Sequence, residues 1–285
     1  MSSRASLSRL PESCVAPVGV FDSGIGGLSV LKALRAELPD QDLIYVADSG
    51  HAPYGERGDA FVVARSRAIT ACLLAQGVQA LGIACNTATA AAIDLLRAEH
   101  PQLPIVGVEP ALKPAVALSK TGRIGVMATR GTLDSARFRQ LLDALSTRAE
   151  FVLQPCEGLA EAIERATLQP ENAPELIAAC ARHTRAMGRF GLKPGEIDTV
   201  VLGCTHYPFA NDILSNQLGP GVQLIATGEA VARQTRRLLP ALAASDVEMA
   251  PGHIRLFSTG QPALLEAAAK RWIAADSSVH LLSFK

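Results

Sequence analysis

Two stretches end an apolar run in a thiol and follow it at once with hydrogen-bonding side chains. "ALGIACNTA" carries Cys85, Asn86 and Thr87, and "VVLGCTHYP" carries Cys204, Thr205 and His206. One cysteine in such a place is most simply a small core residue. Two at matching places point to chemistry. A stereocentre with an acidic C–H is inverted when a proton leaves one face and another arrives on the opposite face. A thiolate and a thiol held on either side of the bound molecule do this directly, and exchange roles with the direction of reaction. An ordinary thiol has a pKa of about 8.5, lowered by a nearby cation or a helix N-terminus. Both cysteines are expected at strand-to-helix turns, where backbone N–H groups and the helix dipole favour an anion. The same amides, with Asn86, Thr87 and Thr205, suit a substrate carboxylate, and His206 suits polarisation of Cys204.

The elements that must position these residues follow from hydrophobic pattern. Apolar, β-branched runs at 18–21, 43–47, 80–84, 105–108, 123–128, 150–153, 198–203, 222–226 and 254–257 read as strands, with a further one at 279–282. Runs that are apolar throughout fit a sheet covered on both faces. Between them, stretches such as 59–76, 131–145, 174–188 and 261–275 space their apolar residues by three and four, as helices do. Alternation of this kind predicts βαβ units and an α/β fold with mostly parallel sheets.

The two halves of the chain repeat each other in order. "GVFDSGIGGLSVL" from Gly19 and "GVMATRGTLDSARF" from Gly125 each run strand, turn and helix, and each is followed by a second strand, a long helix and a third strand ending in a cysteine. This predicts two pseudo-symmetric doubly wound lobes with the active site in the cleft between them. The expected division is a flexible tail over 1–17, a first lobe over 18–111 plus 228–285, and a second over 112–227. Ligands in open parallel sheets sit beyond the carboxyl ends of the strands, so facing lobes would bring Cys85 and Cys204 to one cleft.

Composition narrows the class. Of 285 residues, 48% are apolar and 19% charged, enough to bury a substantial core. Lys plus Arg and Asp plus Glu each number 27, so nucleic acid is not expected as a required partner. No run approaches the roughly 18 apolar residues of a membrane span, and the N-terminus has no apolar signal core. Six cysteines, irregularly spaced and without a CxxC pair, argue against a disulfide framework and against a metal site. The chain therefore reads as cytoplasmic, with reduced thiols and no membrane association. Of the six lysines, none lies in a strand-tip motif suited to a Schiff base, so no cofactor is expected. The loop "DSGIGG" invites a dinucleotide reading, but the third glycine of GxGxxG would fall at Ser29. A tight strand-to-helix turn explains it as well.

The segments "GVFDSGIGGLSVL", "YVADSGHAPYG", "ACNTATA", "GVEPAL" and "GCTHYPF" together resemble the cofactor-independent aspartate/glutamate racemase family, in particular the glutamate racemases of bacterial cell-wall synthesis, over roughly residues 18–285. The resemblance implies two α/β lobes and interconversion of L- and D-glutamate for peptidoglycan synthesis, with Cys85 acting on D-glutamate and Cys204 on L-glutamate. It further implies that Asp22 and Ser23 line the pocket, Asp22 orienting Cys85 or the substrate ammonium. Pro53, Tyr54 and Gly55 would form part of the wall, and Asn86, Thr87, Thr205 and His206 would hold carboxylates and amine. Glu164 and Asp48 stand where the family has acidic residues near the site. The chain departs from the family at His51, where arginine is frequent, at Cys156-Glu157, where a Cys-Pro pair is common, and at Ala226 in place of an aspartate. Racemisation of a related carbon acid, aspartate or a hydantoin, is one alternative. A nucleotide-binding α/β protein with structural thiols is the other. The oligomeric state is left open, a homodimer among the options.

Overall fold

Among the described residues the alternating apolar runs form ten strands, all paired in parallel. In the computed structural model, which describes residues 16–239, 250–275 and 278–283, these are β1 (Val18–Asp22), β2 (Leu43–Ala47), β3 (Ala80–Ile83), β4 (Ile105–Gly107), β5 (Arg123–Ala128), β6 (Glu150–Pro155), β7 (Thr199–Gly203), β8 (Gln223–Ile225), β9 (Ile254–Ser258) and β10 (Val279–Leu281). Each expected strand is present. Apart from Ala16 and Pro17, the expected N-terminal tail lies outside the described residues, as does Cys14.

The strands form two sheets, ordered β10-β9-β2-β1-β3-β4 and β6-β5-β7-β8. The order β2-β1-β3-β4 in the larger sheet recurs as β6-β5-β7-β8 in the smaller, so the repeat read from the sequence is a repeat of topology. β3 and β7, the strands that lead to Cys85 and Cys204, are structural counterparts. Both lie next to the first strand of their unit, with Val18 opposite Ala80 and Ile124 opposite Thr199.

Continuously apolar strands are explained by cover on both faces. Val18, Val20, Leu43 and Tyr45 join one buried cluster, while their neighbours Phe21, Ile44 and Val46 join another on the opposite face. The smaller sheet divides likewise, Ile124, Val126 and Val201 to one side and Met127, Val200 and Leu202 to the other.

Eleven α-helices supply this cover among the described residues. They are α1 (Leu28–Glu37), α2 (Asp59–Ala75), α3 (Asn86–Glu99), α4 (Leu112–Leu118), α5 (Arg130–Leu133), α6 (Ala136–Asp143), α7 (Leu159–Leu168), α8 (Ala173–Met187), α9 (Asn211–Leu218), α10 (Gly228–Leu238) and α11 (Pro262–Ile273). The helical pattern at 131–145 resolves into two helices rather than one. The cause is local: Ser135 adopts an extended backbone and its hydroxyl accepts from the Phe138 N–H at 3.1 Å, capping a new helix.

α1 shows how a helix is held. Leu28, Leu31 and Leu34 recur at a spacing of three, giving one buried stripe that packs with α10 and the face of β1 carrying Val18 and Val20. Leu31→Ala is expected to cost about 2–5 kcal/mol, the range for a leucine removed from a packed core. Denaturant unfolding checks it: the midpoint falls while the slope stays that of the parent.

Candidate active site

The site is built from strand tips. β1 ends in Asp22, a fully buried carboxylate. It accepts from the Ser23 N–H at 2.7 Å, from the Gly27 N–H, and from the Thr205 hydroxyl at 3.1 Å across the gap between the sheets. β3 ends one residue before Ala84-Cys85, and Cys85 is the N-cap of the fourteen-residue helix α3. Its sulfur accepts from the Ala88 N–H at 3.4 Å and its thiol donates to Ser23 Oγ at 3.8 Å. β7 ends in Gly203, which places Cys204 at the matching tip of the smaller sheet.

The backbone beyond the second cysteine differs from expectation. Cys204 leads through a turn into the single 3-10 turn Tyr207–Ala210 and then α9, not directly into a long helix. Its neighbouring positive charge comes instead from His206, whose Nδ1 lies 3.8 Å from the sulfur and whose Nε2 lies 2.8 Å from Glu164 Oε1.

Both thiols open into one cavity of ≈ 190 Å³. Asp22, Ser23, Tyr54, Gly55, Cys85, Asn86 and Thr87 line it from the larger sheet, and Cys204, Thr205 and His206 from the smaller. Every residue the sequence nominated as catalytic or substrate-binding is thus brought together, with Pro53 and Glu164 as well. Asp48 and His51 stand behind the wall. Asp48 accepts from Arg65, Tyr54 and Thr259, and His51 Nδ1 lies 3.1 Å from Asp48 Oδ1. Thr129 and Glu161 also line the cavity and were not foreseen. Thr129 had a signal: "GVMATR" laid on "GVFDSG" pairs Thr129 with Ser23. Its hydroxyl lies 3.1 Å from that of Thr87.

The glycines of "DSGIGG" serve close approach. A Cβ on Gly24 would overlap Glu164 Oε1; one on Gly26 would overlap the His206 ring and come within 2.7 Å of Thr205 Oγ1. The Ile25 N–H between them donates to Glu164 at 3.3 Å. The loop seats a histidine–carboxylate pair, which accounts for its composition without a phosphate. Among the described residues no three His, Cys, Asp or Glu side chains group as a metal site.

Burial and neighbouring charge perturb several groups around the cavity. Burial, with the Asp22 charge beside it, pushes the Cys85 thiol well above its ordinary range, against the Ala88 N–H and Ser23 hydroxyl. Burial also raises Asp22, against the opposing charge of His206. For His206, burial acts to lower the pKa, but bonds to Cys204 and Glu164 outweigh it and hold the ring well above the usual histidine range. Glu164 is raised by burial yet ends below its ordinary value because His206 and the Ile25 N–H hold the carboxylate.

Two doubly wound parallel sheets with a thiol-bearing polar cavity at their facing strand tips define an α/β enzyme of small molecules. Residues 28–235 match the Asp/Glu/Hydantoin racemase family, and the chain belongs to it. It is 52% identical over 224 residues to a glutamate racemase of Ectopseudomonas mendocina (strain ymp), covering 79% of this chain and 82% of that one. Against a glutamate racemase of Methylococcus capsulatus it is 47% identical over 247 residues, covering 87% and 88%. Among solved structures, glutamate racemase isoform RacE1 from Bacillus anthracis superposes with a TM-score of 0.82 at 29% identity, covering 94% of this chain and 98% of that one. Escherichia coli glutamate racemase, solved with L-glutamate and the activator UDP-MurNAc-ala, gives 0.80 at 31%, covering 95% and 100%.

The Glu164–His206 pair carries a pH signature. The depressed Glu164 contributes stability that is present above its unfolded value of 4.5 and lost as pH falls through the folded one. The raised His206 contributes stability that is full below 6.5 and lost as pH rises through its folded value. Thermal unfolding of the parent and of Glu164→Gln should therefore differ most between about pH 4.5 and 6.5. The gap narrows on either side of that window.

Proposed function

We propose that this chain interconverts L- and D-glutamate by two-sided proton transfer, with Cys204 acting on the L-enantiomer and Cys85 on the D-enantiomer. The observation that carries the reading is that one cysteine from each sheet lines the same cavity. The names of the relatives and the two-lobed neighbours support glutamate as the substrate.

In the L-to-D direction the Cys204 thiolate takes the α-proton while the Cys85 thiol delivers its own to the opposite face, leaving Cys204 protonated and Cys85 as thiolate. The reverse direction exchanges the roles. Burial keeps the Cys85 proton in place until the carbanion forms. On the other side, the His206 imidazolium stabilises negative charge at the Cys204 sulfur. Asp22 suits the substrate ammonium. The hydroxyls of Thr87 and Thr205, the Asn86 amide and the first amides of α3 suit the carboxylates. Water displaced from the cavity by the substrate strengthens each of these contacts as charge develops. No pyridoxal phosphate takes part in this scheme. We assign the chain to the cytoplasm, with D-glutamate passing to peptidoglycan synthesis; among the described residues no helix is long and apolar enough to cross a membrane.

Circular dichroism of either enantiomer, with no pyridoxal phosphate added, should show decay of the signal toward zero. In deuterated water, deuterium should enter at the α-carbon. Cys85→Ser and Cys204→Ser should each lower turnover by roughly 10²–10⁴-fold, the usual worth of a general acid or base. Full activity in either variant would end the two-thiol scheme, and a panel with aspartate and hydantoins separates the related substrates.

A further inference from the structure

The wall segment Ala52–Gly55 reaches the cavity from a loop with little regular structure of its own, and one carboxylate holds it. Asp48 follows β2 directly and is fully buried. Its Oδ1 accepts from Arg65 Nη2 at 2.8 Å and from the Thr259 hydroxyl at 2.7 Å. Its Oδ2 accepts from Arg65 Nε at 2.9 Å and from the Tyr54 hydroxyl at 2.5 Å. Burial alone would raise the carboxyl, but these donors hold it below the usual aspartate value. Its acceptor positions are filled by protein. Asp48 is absent from the cavity lining, whereas Pro53, Tyr54 and Gly55 are in it.

Thr259 closes the other side. It follows β9, and its N–H donates to Ala47 at 3.0 Å, while its hydroxyl accepts from the Gly50 N–H at 3.1 Å as it donates to Asp48. A single hydroxyl therefore ties both ends of the Asp48–Gly50 turn. Arg65, from the second turn of α2, meets Asp48 as a two-pronged fork that a lysine cannot reproduce. The Tyr54 hydroxyl donates its proton to Asp48, which ties the ring to the same carboxylate.

We propose that Arg65 and Thr259 are positioning residues for substrate binding: through Asp48 they fix the Ala52–Gly55 wall at the width the ligand requires. The proposal deepens the glutamate reading and rests on it for the identity of the ligand. Neither residue touches the cavity or the thiols, so their effect falls on binding rather than on proton transfer.

The experiment compares the parent with Thr259→Val, Thr259→Ser, Arg65→Lys and Arg65→Met. Thr259→Val and both arginine variants should raise KM for glutamate roughly tenfold with kcat changed less than about threefold, the pattern of lost uniform binding. Thr259→Ser should restore the parent KM. Amide hydrogen exchange, read on the same proteins without ligand, should quicken in residues 49–57 and stay unchanged in β1 and α3. A KM equal to the parent's in Thr259→Val, a loss borne by kcat alone, or exchange that quickens everywhere would overturn the positioning role. Should the parent fail to racemise glutamate, the functional reading falls, and the exchange data alone still decide whether these residues hold the wall.

Discussion

A carboxylate removed from water must be met by donors on every open side, and Asp22 and Glu164 place that demand on the seam between the two sheets. Asp22, from the larger sheet, is met in part by the Thr205 hydroxyl of the smaller. Glu164, from α7 beside the smaller sheet, is met in part by the Ile25 N–H of the larger. The Ser29 hydroxyl adds a third crossing at 2.9 Å to the Thr205 carbonyl. These bonds set the distance between facing strand tips, and hence the width of the cavity. The glycines at 24 and 26 follow from them, because a Cβ at either position would overlap Glu164 or His206.

Repeated topology makes the two halves equivalent, and the polar seam then makes them different. Cys85 has a helix N-terminus and a buried carboxylate beside it; Cys204 has a short 3-10 turn and a charged imidazole. A helix terminus supplies partial charge through several amides, whereas an imidazolium supplies a whole charge and a removable proton. The two sulfurs are thus equivalent in position and unlike in resting charge environment.

The strands β1, β2, β3 and β7 were legible because burial on both faces leaves them apolar nearly throughout, and the repeat was legible because strand order follows element order in βαβ units. The thiols and their flanking side chains were legible because each sits immediately after an apolar run. Other features depend on contacts between distant parts of the chain and leave no local pattern. Thr259 reaches Asp48 from 211 residues away, and Thr129 meets Thr87 from 42. The break between α5 and α6 was local but subtle, since Ser135 reads equally well as a helix interior residue until its hydroxyl is seen capping Phe138. Glu164 falls between these cases: the resemblance placed it near the site, and only the fold pairs it with His206.

The chain's path explains why the first sheet needs its final segments. After β4 the backbone leaves to build the smaller sheet and returns through α10, which lies against α1. At the point of return, a Cβ on Gly228 would come within 3.1 Å of the Ser29 carbonyl oxygen, so the backbone passes directly beside the residue that bonds Thr205. The next strand, β9, pairs with β2 in parallel, placing Leu43 opposite Ile254 and Ala47 opposite Ser258. That pairing carries Thr259 to the tip of β2, where the Asp48 carboxylate waits. Residues beyond the 28–235 family match therefore complete the sheet on which the candidate cavity stands. They cover an edge that would otherwise expose β2, and they supply a donor to the carboxylate that shapes one wall of the cavity.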